Sequence, residues 1–253
     1  MRKRENTLHP VESLMHRIAL WDELTFEKSK ARKIQVYCEG EFLPEGETQI
    51  QRTLQYIQKK EGITSGMTVW VKKGIPAGSG LGGGSADAFS ALLAVKELWQ
   101  AKIPPPEEIV HHLGSDIPFF FSDSGCAWVS GFGEIVEPMP SLPPLPALIL
   151  FPEIPISSAE AYQWWDEKGI ETENDIQRVK ELVRKREWEK LRDLCRNDLE
   201  EVVLERKPSL RALVEVAERT KPFFLQMTGS GSAFFALYLE EESAQRAFFE
   251  ISR

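Results

Sequence analysis

Glycine is concentrated in one short segment of the sequence, at positions 78, 80, 82, 83 and 84. The segment reads Pro76-Ala77-Gly78-Ser79-Gly80-Leu81-Gly82-Gly83-Gly84-Ser85-Ala86. Because glycine adopts positive φ and has no side chain, successive backbone N–H groups can converge there on an anion. The segment therefore predicts a phosphate-binding loop, although a glycine turn without a ligand has the same composition.

The elements on either side of this loop would position it. Residues 67–71 form a β-rich run before the loop, and residues 85–98 have apolar side chains at helical spacing after it. A helix that starts here adds unsatisfied N–H groups and the positive end of its dipole to the phosphate site. Ser85 is expected to cap this helix or bind a phosphate, with Asp87 in the first turn.

Two common nucleotide loops do not fit the segment. No lysine follows the last glycine, which excludes the pattern GxxxxGK[ST]. The glycine spacing and the acidic residue of a dinucleotide-binding fold are also missing. The segment is therefore neither of these two loops, and a glycine turn without a ligand remains an alternative.

The rest of the chain predicts a mixed α+β protein. Helices are expected at 107–113, 176–199, 210–219 and 240–251, with a break in or after the second of these near Asn197, and strands at 117–121, 125–133, 147–151 and on both sides of 228–232. Residues 138–146 contain five prolines and no charge. This stretch is either a stiff connector between two lobes or a polyproline ligand for another protein.

Composition limits the possible partners. A net charge of −8 argues against a broad nucleic-acid-binding surface. The apolar runs are too short to span a bilayer, and no signal peptide is evident. The three cysteines, Cys38, Cys126 and Cys195, are far apart and favour reduced thiols. We expect a cytoplasmic protein with no membrane or nucleic-acid partner.

The loop and the segments after it resemble one known family. The run from Ile75 through Gly82-Gly83-Gly84-Ser85-Ala86-Asp87-Ala88 resembles the nucleotide loop of the GHMP kinases, and within them the branch that phosphorylates 4-diphosphocytidyl-2-C-methyl-D-erythritol. Further segments resemble that branch in the same order: 113–120, 131–134, 157–162, 197–200, 203–206 and 227–232. The resemblance extends in patches from about residue 3 to residue 240.

This resemblance implies a fold and an activity. The fold would be a two-lobed α+β GHMP kinase, with a ribosomal-protein-S5-like N-terminal lobe over residues 1–140 and a ferredoxin-like C-terminal lobe over residues 147–253. The activity would be ATP-dependent phosphorylation of the 2-hydroxyl of 4-diphosphocytidyl-2-C-methyl-D-erythritol in non-mevalonate isoprenoid biosynthesis. ATP would be the co-substrate and Mg²⁺ would accompany it. The small-molecule substrate would carry a cytidine diphosphate moiety.

The resemblance also implies roles for individual residues. Asp116 would accept the proton of the attacking hydroxyl, although an aspartate before Ile-Pro is also a common turn or helix cap. The ATP phosphates would contact the loop from Pro76 to Ala86 together with Gly229, Ser230 and Gly231, unless 228–232 is a plain hairpin turn. His9 and Tyr162 would bind the cytidine part of the substrate, although His9 could be an ordinary surface histidine.

No residue is expected to hold a metal ion by itself. His111 and His112 are adjacent on a predicted helix and point in different directions, so they are expected to be packing or solvent-facing residues. The oligomeric state is expected to be monomer or homodimer.

The chain departs from the family near its start. The first strand of the family, with a lysine that pairs with the catalytic aspartate, has no counterpart here, and Thr7-Leu8 replace the usual Gly-Tyr before His9. One hypothesis is a true start upstream of Met1, and the other is a diverged nucleotide-binding relative with little kinase activity. A GHMP kinase for a different alcohol is a third possibility. Lys3 is a candidate to replace the missing lysine, although it aligns with a loop position of the family.

Overall fold

A computed structural model describes residues 9–169 and 175–252 of the chain. These residues divide into two compact units. The N-terminal unit runs from residue 9 to Ala77 and continues over Gly82–Met139. The C-terminal unit combines Gly78–Leu81 with the described residues from Pro140 onward. The middle of the glycine loop therefore belongs to the C-terminal unit.

The N-terminal unit contains two three-stranded sheets. Their strands are β1 (Val11–His16), β2 (Glu23–Ser29), β3 (Ile34–Glu39), β4 (Gly66–Lys72), β5 (Cys126–Gly131) and β6 (Ile135–Met139). One sheet is antiparallel with the order β1-β5-β6. The other has the order β2-β4-β3, with β2 antiparallel and β3 parallel to β4. β4 is thus the central strand that leads into the glycine loop.

The helices of this unit cover the central strand. They are α1 (Gln49–Lys60), α2 (Gly83–Trp99) and α3 (Pro106–His112). Leu54 of α1, Leu92 of α2 and Val69 of β4 are fully buried in one apolar cluster. α1 begins after Thr48, whose Oγ1 accepts a hydrogen bond from the backbone N–H of Gln51 at 3.1 Å. The packing of α2 on α1 and β4 holds the helix that follows the loop.

The C-terminal unit has one antiparallel sheet with the order β7-β9-β8. Its strands are β7 (Ala147–Leu150), β8 (Phe224–Met227) and β9 (Phe234–Leu237), and its helices are α4 (Ser158–Lys168), α5 (Ile176–Lys185), α6 (Trp188–Arg192), α7 (Glu200–Arg206), α8 (Ser209–Arg219) and α9 (Glu241–Ile251). Trp165, Val203 and Phe234 are buried in its core. The turn between β8 and β9 carries the glycines at 229 and 231.

The structure confirms most of the predicted elements around the loop, but two predictions are wrong. Residues 117–121 form a 3₁₀ turn rather than a strand. A buried apolar run has the same pattern in both cases, and Pro118, with no N–H and a fixed φ, suits a first helical turn. The helical region over 176–199 has its expected break near Asn197, but it is also broken earlier, at Arg186, which has φ +60°. No helix within the described ranges is long and apolar enough to cross a membrane.

Candidate active site

The glycine loop changes backbone handedness before α2 begins. Gly80 and Gly82 have φ of +78° and +74°, a region that residues with a Cβ rarely adopt. Gly82 directly precedes the first residue of α2, and no side chain caps the helix there. Glycine is therefore required by the backbone at these two positions.

The start of α2 differs in detail from the prediction. The helix begins at Gly83, so Ser85 lies inside the first turn and Asp87 lies in the second. The predictions that Ser85 caps the helix and that Asp87 lies in the first turn were therefore wrong, and the alternative that Ser85 binds a phosphate stays a prediction. The backbone N–H of Ala86 donates to Gly82 O at 2.9 Å, which closes the first turn. The N–H groups before it have no partner within the helix and can bind an anion.

The middle of the loop packs against the turn between β8 and β9 within the C-terminal unit. The Thr228 hydroxyl donates to Gly80 O at 3.0 Å, and the backbone N–H of Ala233 donates to Ser79 O at 3.1 Å. A Cβ on Gly80 would lie 2.4 Å from Thr228 O. The two glycine segments predicted from the sequence are thus brought together, and their contact requires glycine at position 80.

Two side chains that the sequence did not single out hold this turn. Asn197 Nδ2 donates to Met227 O at 2.9 Å and to Gly229 O at 2.7 Å. Glu200 accepts a hydrogen bond from the Met227 N–H at 2.8 Å. The family resemblance includes residues 197–200 but assigned them no role. The sequence feature that could have indicated their role is a pair of polar residues directly before a helix.

Ser230, one of the predicted ATP-binding residues, has a side-chain partner in the same unit. Its Oγ lies 2.9 Å from the Oγ of Ser158, at the start of α4. This contact connects the turn that carries Gly229 and Gly231 to α4, which also carries Tyr162.

Asp116 lies directly before the 3₁₀ turn of the N-terminal unit. Its side chain does not cap that turn. Its carboxylate instead accepts a hydrogen bond from the Ser115 hydroxyl at 3.3 Å. Burial raises the pKa of Asp116, and the Ser115 hydrogen bond opposes that change. Over residues 9–169 and 175–252, no lysine or arginine forms an ion pair with this carboxylate.

A buried group of three charges lies beside the loop and was missed by the sequence reasoning. Lys73 Nζ is 2.5 Å from Asp22 Oδ2 and 3.0 Å from Asp87 Oδ2. Burial raises the pKa of Asp87 to about 6, although Lys73 opposes the change. Burial by itself would lower the pKa of Lys73, but hydrogen bonds and charge from the two carboxylates raise it. The sequence feature that could have indicated this group is Asp87, an aspartate on the apolar face of α2.

The residues predicted to bind cytidine lie one in each unit. His9 is half-buried, two residues before β1 of the N-terminal unit. Tyr162 is on α4, half-buried against the C-terminal core. Their substrate-binding roles stay predictions. The departures from the family pattern near the start of the chain lie outside the described residues. They concern Lys3, Thr7 and Leu8.

The two adjacent histidines make separate packing contacts. His112 stacks on Tyr56 with ring centroids 5.1 Å apart, and His111 lies 6.4 Å from the ring of Phe132. Among the described residues, no group of three or more His, Cys, Asp or Glu side chains could hold a metal ion.

Comparison with known proteins identifies the family. The model of the GHMP kinase N-terminal domain matches residues 48–123, and that of the GHMP kinase C-terminal domain matches residues 179–253. A 4-diphosphocytidyl-2-C-methyl-D-erythritol kinase from Prosthecochloris aestuarii is 32% identical, covering 99% of this chain and 88% of the relative. One from Thermodesulfovibrio yellowstonii is 34% identical, covering 99% and 89%. The chain belongs to the 4-diphosphocytidyl-2-C-methyl-D-erythritol kinase family.

Solved structures agree with this family and its fold. The crystal structure of a 4-(cytidine 5'-diphospho)-2C-methyl-D-erythritol kinase is similar with a TM-score of 0.75 and 28% identity, covering 98% of this chain and 88% of that one. A homoserine kinase from Cytophaga hutchinsonii has a TM-score of 0.67 at 18% identity, covering 91% and 80%. The second likeness concerns the fold alone. The predicted α+β GHMP kinase fold is confirmed.

Proposed function

We propose that the chain transfers the γ-phosphoryl group of ATP to the 2-hydroxyl of 4-diphosphocytidyl-2-C-methyl-D-erythritol. The observation that carries this proposal is the 32–34% identity to kinases named for that substrate over 99% of the chain. The glycine loop, with backbone N–H groups at the start of α2, is the arrangement that the ATP phosphates need.

In this proposal Asp116 is the general base. Its carboxylate accepts the hydroxyl proton while the hydroxyl oxygen attacks the γ-phosphorus and ADP leaves. A positioned base typically contributes about 10²–10⁴-fold to the rate. The raised pKa of Asp116 makes it a stronger base than an exposed aspartate. Because a general base accepts a proton, the Asp116 carboxylate must be ionised when the hydroxyl attacks.

The remaining predicted residues would bind the two substrates. The loop from Pro76 to Ala86 and the turn with Gly229, Ser230 and Gly231 would surround the ATP phosphates. His9 and Tyr162 would contact the cytosine ring by stacking and hydrogen bonds.

Mg²⁺ would enter the site bound to ATP. Mg²⁺ in kinases usually keeps several waters and takes one or two protein ligands together with substrate phosphates. That requirement is compatible with the described residues, which form no cage of three acidic, histidine or cysteine side chains. The ion would offset charge on the transferred phosphoryl group.

The test is a coupled assay of ADP release with 4-diphosphocytidyl-2-C-methyl-D-erythritol, ATP and Mg²⁺. We expect turnover in the wild-type chain and a loss of about 10²-fold or more in kcat for Asp116→Asn. Asp123→Asn, which changes an exposed aspartate seven residues later, is the matched control and should retain full activity. An Asp116→Asn variant with wild-type kcat would remove Asp116 from the mechanism.

Two alternatives give different results in the same assay. A GHMP kinase for another alcohol would release ADP only with a different member of a panel of acceptors. A diverged relative would bind ATP and turn over no acceptor. The replacement of the usual Gly-Tyr by Thr7-Leu8 is the feature that favours this second alternative.

A further inference from the structure

We propose that Asp22, Lys73 and Asp87 act together as positioning residues that hold both ends of the glycine loop in the geometry that binds ATP phosphates. The inference rests on the proposed function, because it assumes that this loop receives ATP. None of the three residues belongs to the loop itself, which runs from Pro76 to Ala86.

Asp22 holds the chain where it enters the loop. Its Oδ1 accepts hydrogen bonds from the backbone N–H groups of Gly74 at 2.7 Å and Ile75 at 2.9 Å. These are the two residues directly before Pro76. A Cβ on Gly74 would lie 2.3 Å from Trp21 O, so the segment that carries Asp22 is in direct contact with the loop entry. One carboxylate therefore determines the direction in which the chain enters the loop.

Lys73 connects this entry to the helix at the other end of the loop. Its ammonium lies between Asp22 Oδ2 at 2.5 Å and Asp87 Oδ2 at 3.0 Å, and Asp87 is in the second turn of α2. The Lys73 side chain is 5% exposed and the Asp22 side chain 2%. Water therefore does not screen this connection, and the positions of the carboxylates are coupled through a single cation.

An apolar contact joins the same two ends. A Cβ on Gly83, the first residue of α2, would lie 2.7 Å from Ile75 Cγ2, and Ile75 is buried. The start of the helix is thus pressed against the last residue before Pro76. The charged and apolar contacts are independent, and both fix the separation of the loop ends.

The chemistry of the group also favours a positioning role. A buried ion pair often adds little net stability, because desolvation of the charges offsets their attraction. The three buried charges here connect two backbone segments, one on each side of the phosphate loop. Net stabilisation is therefore a poor explanation for them, and positioning of the loop is a better one. A displacement of about 1 Å at such a loop is enough to cost large factors in binding or rate.

Lys73→Met tests the proposal, with Lys72→Met as the matched control. Methionine retains most of the length of the lysine side chain and removes the ammonium. Lys72, the exposed neighbour of Lys73 on the same strand, allows the same substitution outside the buried group. The measurement is the Kd for a non-hydrolysable ATP analogue with Mg²⁺, by calorimetry, well below the melting temperature of each variant. We expect the Kd to rise about tenfold or more in Lys73→Met and to stay within twofold of wild type in Lys72→Met.

Asp87→Asn keeps the test decisive if Lys73→Met does not fold. The amide retains the shape and can still accept from Lys73, so we expect a smaller rise in Kd, about threefold. A purely structural role would lower the melting temperature and leave the Kd of the folded protein unchanged. That result in Asp87→Asn, or in both variants, overturns the proposal, and so does a wild-type chain that binds no ATP analogue. A wild-type chain that binds the analogue without phosphorylating the acceptor refutes the proposed function only, and the Kd values still decide the inference.

Discussion

At the scale of single residues, Asp116 is half-buried and its carboxylate accepts a hydrogen bond from a neutral donor, the Ser115 hydroxyl. Because a general base must be ionised, kcat/KM falls as the pH drops through the pKa of Asp116. Burial raises that pKa above the ordinary value of 3.8. We therefore expect half of the maximal kcat/KM to be lost at a pH above 3.8, measured as a profile from alkaline to acidic pH.

Ser115 provides a test of whether titration of Asp116 causes the loss of kcat/KM at acidic pH. Its hydrogen bond lowers the pKa of Asp116, so Ser115→Ala should move the acid limb of the kcat/KM profile to higher pH. The value of kcat/KM on the plateau above this limb should change less than the pH of its midpoint. An acid limb that stays in place, or that moves to lower pH, would contradict this assignment of the limb to Asp116.

At the scale of elements, the contact between the loop and the β8–β9 turn depends on the absence of a side chain. Gly80→Ala combines a positive φ with a Cβ 2.4 Å from Thr228 O. Gly62→Ala is the matched control, since Gly62 has φ +64° and nothing within 4 Å of its Cβ position. The strained backbone costs roughly 1–3 kcal/mol in either variant.

The collision in Gly80→Ala should add to that cost. We expect a larger loss of unfolding free energy than in Gly62→Ala, together with weaker ATP binding that the control does not show. Chemical denaturation and calorimetry measure the two effects. Equal losses in the two variants would show that the loop and the turn can separate without cost.

The amide side chain of Asn197 makes two of the hydrogen bonds that hold the turn between β8 and β9. Asn197→Ala removes the two bonds to Met227 O and Gly229 O and leaves the Leu199 N–H without its 3.0 Å acceptor. We expect a loss of roughly 1–3 kcal/mol in unfolding free energy by urea denaturation. Gln163→Ala removes an exposed amide on α4 that bonds Glu167 of the same helix, and it should change the unfolding free energy by under about 0.5 kcal/mol. Similar effects of the two substitutions would argue against a structural role for Asn197.

At the scale of the whole molecule, the buried carboxylate of Asp87 connects stability to pH. Its pKa is raised from 3.8 to about 6 in the folded state, so the folded protein binds this proton more tightly than the unfolded chain. The contribution of Asp87 to the unfolding free energy therefore increases as the pH falls through 6 toward 3.8. The sign is opposite to that of a carboxylate whose pKa is lowered by folding.

Asp87→Asn isolates this contribution. The quantity of interest is the unfolding free energy of wild type minus that of Asp87→Asn. We expect this difference to increase by roughly 1 kcal/mol when the pH is lowered from about 7 to about 5. Thermal or urea unfolding at the two pH values measures it. A difference that does not change with pH would mean that Asp87 is ionised throughout this range.

The extent to which the sequence predicts this structure varies with the kind of contact. The loop, β4 and α2 are local features, and their glycine pattern and apolar spacing predict them well. The role of Asn197 and the grouping of Asp22 with Lys73 and Asp87 depend on residues far apart in the chain. Nothing in local spacing shows that Asp22 lies beside residues 73–75.

The 3₁₀ turn at 117–121 shows a second limit. Its apolar run satisfies the pattern of a buried strand, and only packing in the folded unit decides between strand and helical turn. For Asp116, whose family context indicated a functional role, the structure adds that its side chain does not cap this turn.

The assignment of Gly78–Leu81 to the C-terminal unit has a consequence for dividing the protein into fragments. A chain cut near residue 140 would give a C-terminal piece that lacks the two acceptors Ser79 O and Gly80 O. Ala233 N and Thr228 Oγ1 would then need new partners. Separately expressed halves should consequently behave as complementing fragments, each stabilised by the other, and not as two autonomous domains joined by a linker.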